Sequence, residues 1–297
     1  MLTGAELASI LATAGAGTHD DLTEFLYWQC YVKPFSEPYP EPPPAENLTP
    51  VLRAAHAGQP CREFGWQVTQ AFESGRILAR KGGDIRGFEA GHYLNLDDPV
   101  GLPKKDHRVA ICRPKDSTAI QAGYYHIFGE AIGEDGESLR LVRFYWNVRA
   151  EGAPRLVNII TRALGRFQIP YQMKLPQWRK AYCRRDTAVV YMNRRYYRIA
   201  TAIFADVHAQ IVEHLGSGTP LFTKPLAHGL GLAENTGESF GKTRCRMVAE
   251  ALLKAREAGL LTEEQLADAV IREFRQQGVD PELPYLNPGS YDRYEWP

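Results

Sequence analysis

Arg143-Phe-Tyr-Trp-Asn-Val148 is a stretch whose residue types and spacing point to chemistry. As a strand, it alternates: Arg143, Tyr145 and Asn147 share one face, and Phe144, Trp146 and Val148 the other. The second set is core material, while the first puts a guanidinium beside a phenol. Tyr171-Gln-Met-Lys-Leu175 repeats the arrangement, with Lys174 and Gln172 on one face. Tyr182-Cys-Arg-Arg-Asp186 then leads into Ala188-Val-Val-Tyr191. Arg offers a planar, two-pronged donor that matches phosphate, and hydrogen bonds between ionised groups are the strong ones. These residues suit the binding of a phosphate-like anion. Two plainer roles fit the same pattern: Lys174 as a strand-end surface lysine, and Asp186 as the partner of an Arg in a turn.

The elements that must position these residues lie in a strongly basic segment. Residues 140–200 hold fourteen Lys and Arg, twelve of them Arg, against Glu151 and Asp186 alone. Ten aromatic residues, among them Tyr145, Tyr171, Trp178 and Tyr191, interleave the charge. A basic run is commonly only a solvated face, but apolar strands and aromatics inside this one favour a polyanion site. The rest of the chain offsets it, with 12 cations to 19 anions before residue 140 and 9 to 14 after residue 200, for a net charge of +0. Such asymmetry localises anion binding to one surface and argues against general affinity for nucleic acid.

At 297 residues the chain can bury a full core as one large or two modest domains. Its five cysteines (Cys30, Cys61, Cys112, Cys183, Cys245) are odd in number and form no C-x-x-C pair, which fits free thiols in a reducing cytoplasm. No signal peptide or transmembrane-length apolar run is expected. The histidines show no metal-ligand clustering, so no metal or cofactor is expected.

In chain order, an Ala-rich helix is expected over 2–14 and a second from an N-cap at Thr18, stopped by Pro34. A polyproline-type connector follows over 34–44, and short strands punctuated by Gly and Pro run from Phe64 to His126. Strands are expected at 123–129 and 139–148 around a Gly133–Gly136 hairpin turn, and at 171–175 and 187–192. Helices are expected over 152–165, 197–215, 242–258 and 263–277, the last with a Thr262/Gln265 capping box. Residues 220–234 read as a Gly-bearing loop carrying Lys224 and His228, the latter structural or catalytic. The pattern is α+β: a central, mostly antiparallel sheet flanked by N- and C-terminal helices. The expected division is 1–45, 46–258 and 259–297, packed as one globular unit. Gly237-Glu-Ser-Phe-Gly-Lys-Thr243 mimics a phosphate-binding P-loop but is one residue short between its glycines, and no buried strand is expected before it.

Five ordered blocks carry a resemblance: R-F-Y-W-N-V (143–148), I-P-Y-Q-M-K (169–174), Y-C-R-R-D-T-A-V-V-Y (182–191), P-L-F-T-K-P-L-A-H-G-L-G-L-A-E (220–234) and E-S-F-G-K-T-R-C (238–245). In these blocks the chain resembles the Hop-A type III effector family over roughly residues 20–258. Members of that family also occur as lyases in pathways that build lanthipeptides and thioamitides from ribosomal precursor peptides. There, a kinase resembling aminoglycoside phosphotransferases phosphorylates Ser or Thr, and the Hop-A-like partner eliminates phosphate to leave dehydroalanine or dehydrobutyrine. The resemblance implies such a cytoplasmic lyase, with a phosphorylated precursor peptide and that kinase as partners. A non-catalytic phosphopeptide-binding subunit and an effector acting on host proteins remain the alternatives. His126 and His228 stand where relatives carry Tyr or Pro, so neither inherits a role.

The chain is also similar, more distantly, to the phosphothreonine lyases of enteric pathogens. That similarity puts their general base on Lys174, their acid on Tyr145, and their phosphate-binding cations on Arg143 and Arg184. Lys224, Tyr191, Arg185 and Arg244 are further expected phosphate or substrate contacts. Elimination needs a base that is a neutral amine near pH 7, so a lysine must be lowered from about 10.4 by burial and nearby cations. The same arginines would stabilise charge growing on the departing phosphate.

Overall fold

A computed structural model of the chain describes residues 1–15, 17–38, 45–133 and 140–297. The N-terminal helices are set by their caps. Thr3 and Thr18 form capping boxes with Glu6 and Asp21 that start α1 (Gly4–Ala14) and α2 (His19–Leu26). The end of α2 widens into a π-helical turn, Tyr27–Tyr31, closed by Val32 N–H donating to the Tyr27 carbonyl at 3.2 Å. The expected Gly133–Gly136 turn and the later part of the proline connector lie outside the described residues.

The described strands form two antiparallel sheets, an α+β architecture. The first comprises β1 (Cys61–Ala71), β2 (Ile77–Lys81), β3 (Asp84–Phe88), β4 (Tyr93–Asn95) and β5 (Arg108–Arg113), ordered β3-β2-β1-β5-β4. Its core is small: Trp66, Val68, Ile77, Ala79, Val109 and Ile111, all from strands. The second comprises β6 (Asp116–Ser117), β7 (Tyr124–Phe128), β8 (Leu141–Trp146), β9 (Gln172–Pro176), β10 (Ala188–Asn193), β11 (Lys224–Ala227) and β12 (Leu230–Glu234). Their order is β11-β12-β8-β10-β9-β7-β6, which places the Arg143 strand near the middle. The central sheet expected from sequence is therefore two antiparallel sheets, in which hairpins such as β1–β2 and β11–β12 are joined by pairings between strands distant in the chain, such as β1–β5 and β8–β12.

Helices α3 (Thr49–Ala55), α4 (Ala153–Arg166), α5 (Tyr197–Ile211), α6 (Phe240–Glu257) and α7 (Glu263–Gln276) complete the chain. The Thr262/Gln265 capping box is present at α7. On α5, Phe204 sits edge-on to Phe144 at 4.9 Å and to Trp146 at 5.5 Å, so α5 covers the apolar face of β8. On the other face Phe240 of α6 approaches Tyr145, and Tyr31 of the π-turn packs against Phe240.

Two sequence expectations are corrected. Of the expected loop 220–234, residues 224–234 form the β11–β12 hairpin, whose turn needs the left-handed φ of +66° at Gly229. A Cβ there would also meet the Gly216 carbonyl oxygen at 2.7 Å. The second correction follows, because the fully buried β12 does precede the P-loop-like segment. Its Lys242, however, extends to Glu24 of α2 in an ion pair, and Ser239 caps α6.

Candidate functional site

Strand register decides which side chains meet. Residues opposite one another in a ladder point to the same face. One row across the second sheet runs Tyr145–Val189–Lys174–His126, and the next runs Arg143–Tyr191–Gln172–Phe128. Tyr124 lies two residues from His126 on the same strand and so shares this face. Arg143, Tyr145, Tyr191, Lys174, His126 and Tyr124 therefore line a single surface, opposite the one covered by α5.

Two segments roof that surface. The π-turn brings Tyr27 and Trp28, and the turn before β10 brings Arg184 and Asp186. Arg184, only 6 % exposed, grips Asp186 with two prongs at 2.7 and 2.8 Å and donates to the Tyr27 hydroxyl at 2.8 Å. Its guanidinium also lies over the rings of Tyr27 (5.4 Å) and Trp28 (4.8 Å). Burial alone would lower the Arg184 pKa, but the Asp186 carboxylate overrides it and the net shift is upward. Arg143, 7 % exposed, donates to Asn235 Oδ1 at 2.9 Å and to the Glu238 carbonyl, and stacks over Tyr191 at 5.3 Å.

Lys174 is an ionisable group tuned by these neighbours. Its Nζ lies 4.8 Å from the centre of the Tyr124 ring, with Gln121 Oε1 at 3.4 Å. Burial pulls its pKa below the usual lysine value; Tyr124 and Asp186 oppose that, and Arg143 and Arg184 reinforce it. Opposite it, burial and then the Lys174 charge hold His126 below the ordinary histidine value. Tyr145 is enclosed, its hydroxyl buried and without a hydrogen-bond partner in the structure. Burial raises its pKa to about 12 against the opposing charge of Arg143. Tyr191 is likewise raised to about 12 by burial. The arrangement is a half-buried amine, held toward its neutral form, beside two guanidinium groups in an aromatic enclosure.

A model of the HopA1 effector protein family matches residues 115–286, more than half of the chain and the whole of this surface. The chain belongs to the HopA1 effector protein family. Two solved structures are similar to it. One is the effector protein from Pseudomonas syringae pv. tomato strain DC3000, 15% identical with a TM-score of 0.55, over 96% of this chain and 95% of that one. The other is the effector protein from Pseudomonas syringae pv. syringae strain 61, 14% identical with a TM-score of 0.53, over 95% and 96%. At these identities the likeness is one of fold. No curated protein matches the chain.

Not every expected contact lies on the HopA1-family surface. Lys224 pairs with Leu232, which pairs with Phe144, so it falls on the α5 face. There it forms an ion pair with Asp292 and lies over the Tyr285 ring, binding the C-terminal tail. Arg244 is buried and donates to the carbonyls of Pro284 and Leu286, each at 2.7 Å. Burial lowers its pKa to about 10, and it too ties down the tail. Arg185 packs against Gly218, 2.8 Å from where a Cβ would stand, and lies 3.9 Å from Glu37. His228 sits in the β11–β12 turn, its carbonyl accepting from His208 at 2.8 Å.

Tyr124, His126, Tyr27 and Asp186 were not singled out as site residues from sequence. Alternation in Tyr124-Tyr-His-Ile-Phe128 could have paired Tyr124 with His126, but only register puts His126 opposite Lys174. Among the described residues, no group of three or more His, Cys, Asp or Glu could hold a metal ion. No described helix is long and apolar enough to cross a membrane.

Proposed function

We propose that the protein is a phosphoserine/phosphothreonine lyase acting on a phosphorylated peptide. The observation that carries this reading is Lys174, a half-buried amine whose proton affinity is lowered beside Arg143 and Arg184. In its neutral form Lys174 takes the α-proton of the phosphorylated residue. The electron pair left on Cα forms the Cα–Cβ double bond as the Cβ–O bond breaks, and phosphate departs with that oxygen. The products are inorganic phosphate and dehydroalanine or dehydrobutyrine. Arg143 and Arg184 take the charge growing on the phosphate. Tyr145, the expected acid, is poorly placed to reach a leaving group, because its hydroxyl is enclosed. Arg184 already holds Asp186, so it binds phosphate by exchanging or sharing that partner.

In this reading the substrate is a ribosomal precursor peptide phosphorylated by a partner kinase of the aminoglycoside-phosphotransferase type. A Ser/Thr-phosphorylated peptide incubated with the protein and a chelator should become one water lighter than its unphosphorylated form. A product equal in mass to the unphosphorylated peptide would mean phosphate hydrolysis and end the proposal. The Arg184–Asp186 pair favours a second reading: a guanidinium satisfied internally suits an effector that binds a host protein without chemistry. An unchanged phosphopeptide mass despite tight binding would select it.

A further inference from the structure

The core face of the first sheet is closed at its centre, where its residues are at most 6 % exposed, and open at its rim, where Phe88 is half-buried and Arg86 exposed. Trp66 pairs with Val109, and Arg86 and Phe88 on β3 pair with Ala79 and Ile77, so these side chains share the face that holds its small core. That face opens onto a cleft of about 890 Å³ between the two sheets. Trp66, Phe88 and Arg113 line it from the first sheet, and Phe128, Gln172 and Tyr191 from the second.

Two observations say that this cleft takes a ligand. Trp66 is 2 % exposed, yet its indole N–H is buried without a hydrogen-bond partner in the structure. A buried donor left unpaired is costly, and a ligand carbonyl would satisfy it. The cleft is also continuous with the candidate site, since Tyr191 lines it and carries the Arg143 guanidinium on its ring. Its walls mix aromatic rings with charge: Phe88 meets Trp66 edge-on at 5.2 Å, Arg86 lies over the Trp66 ring at 5.6 Å, and Arg113 lies over Phe128 at 5.2 Å. Aromatic floors with a few polar groups hold apolar side chains while the polar groups fix orientation. The exposed edge strand β3 runs along the same cleft.

We infer that the cleft between the two sheets binds the peptide segment flanking the phosphorylated residue. It takes an apolar or aromatic side chain against Phe88, which displaces the exposed Arg86 from the Trp66 ring and opens the Trp66 indole to a backbone carbonyl. This inference rests on the phosphopeptide reading above and assigns sequence selection to a surface outside the Lys174 cluster.

The test is selection from a peptide library with one fixed phosphothreonine and degenerate positions of about eight residues on either side, long enough to extend well beyond the phosphate site. Peptides retained by the full-length protein are sequenced. The expected result is enrichment of aromatic and aliphatic residues at a fixed offset on one side of the phosphothreonine. Trp66→Phe, which keeps the ring and removes the donor, should weaken retention of a selected peptide several-fold. Arg113→Glu, on the rim, should change the selected sequence without touching the core. Both should leave binding of a phosphothreonine peptide with about two flanking residues unchanged. Retention without positional preference, or a preference indifferent to both variants, overturns the inference. Positional preference without mass loss leaves it standing and removes only the lyase. Failure to retain any phosphopeptide removes both.

Discussion

Lys174 and His126 stand opposite one another in the β7–β9 ladder, and the Nε2 of His126 is buried there without a hydrogen-bond partner in the structure. Two basic side chains placed together in a half-buried site cannot both hold protons cheaply. The Lys174 charge adds to burial in holding His126 below the ordinary histidine value, while the amine's own pKa is lowered by burial, reinforced by Arg143 and Arg184.

Lys174→Arg retains the positive charge and removes an accessible neutral amine. Phosphopeptide binding should persist, while elimination, followed by mass spectrometry, should fall by about 10²–10⁴-fold, the usual contribution of a positioned base. If Arg restores most of the turnover, Lys174 is a phosphate clamp and the base lies elsewhere.

His126→Glu replaces the opposing base with a carboxylate across the ladder from Lys174. That charge should raise the Lys174 pKa by about one to two units. The rising limb of the pH–rate profile should move to higher pH by a similar amount, with slower turnover at pH 7. His126→Leu, which keeps the site apolar, should leave the limb where it is. An unmoved limb in the Glu variant would show that Lys174 does not govern the profile.

Lys174 should also lower stability at neutral pH. Its proton is held less tightly in the folded chain than in the unfolded one. Between the two pKa values the unfolded state binds more protons, so this site's contribution to stability rises with pH across that window. Below the window the whole cost is present. Lys174→Met should therefore melt higher than wild type at pH 7, at about 2–4 °C per kcal/mol relieved, and the gap should narrow as pH approaches about 10.4. Calorimetry showing a constant gap would remove the electrostatic explanation.

Breaking the Arg184–Asp186 pair should be expensive, because each partner alone is a buried charge. Asp186→Ala and Arg184→Ala should each cost about 3–5 kcal/mol in denaturant unfolding, and the double variant distinctly less than their sum. Added phosphopeptide should restore more stability to Asp186→Ala than to Arg184→Ala, since phosphate can take the place of the lost carboxylate. Equal rescue would argue that Arg184 does not meet the phosphate.

Lys224 and Arg244 should separate from the site in experiment. Lys224→Ala should leave phosphopeptide affinity unchanged and cost under about 1 kcal/mol, as a partly exposed ion pair does. Arg244→Ala strands two carbonyls of the tail and should cost about 2–4 kcal/mol, with affinity in the folded fraction unchanged. A loss of affinity of tenfold or more in Lys224→Ala would return it to the site.

The sequence by itself determined that Arg143 and Tyr145 share a face, because alternation along one strand is a local property of the pleat. It determined the caps of α2 and α7 for the same reason, since each cap needs only residues three apart. It marked the basic segment that supplies Lys174 and Arg184. What only the tertiary structure decided is parity between strands. A shift of one residue in pairing moves a side chain to the other face. Register in the β11–β12 hairpin sends Lys224 to α5, and register in the β7–β9 ladder sets His126 opposite Lys174. Asp186 could be read as an Arg partner, but its choice of Arg184, with Tyr27 arriving from 157 positions earlier, belongs to the fold. The chain shows what each strand can present; the pairing of strands decides what it is presented to.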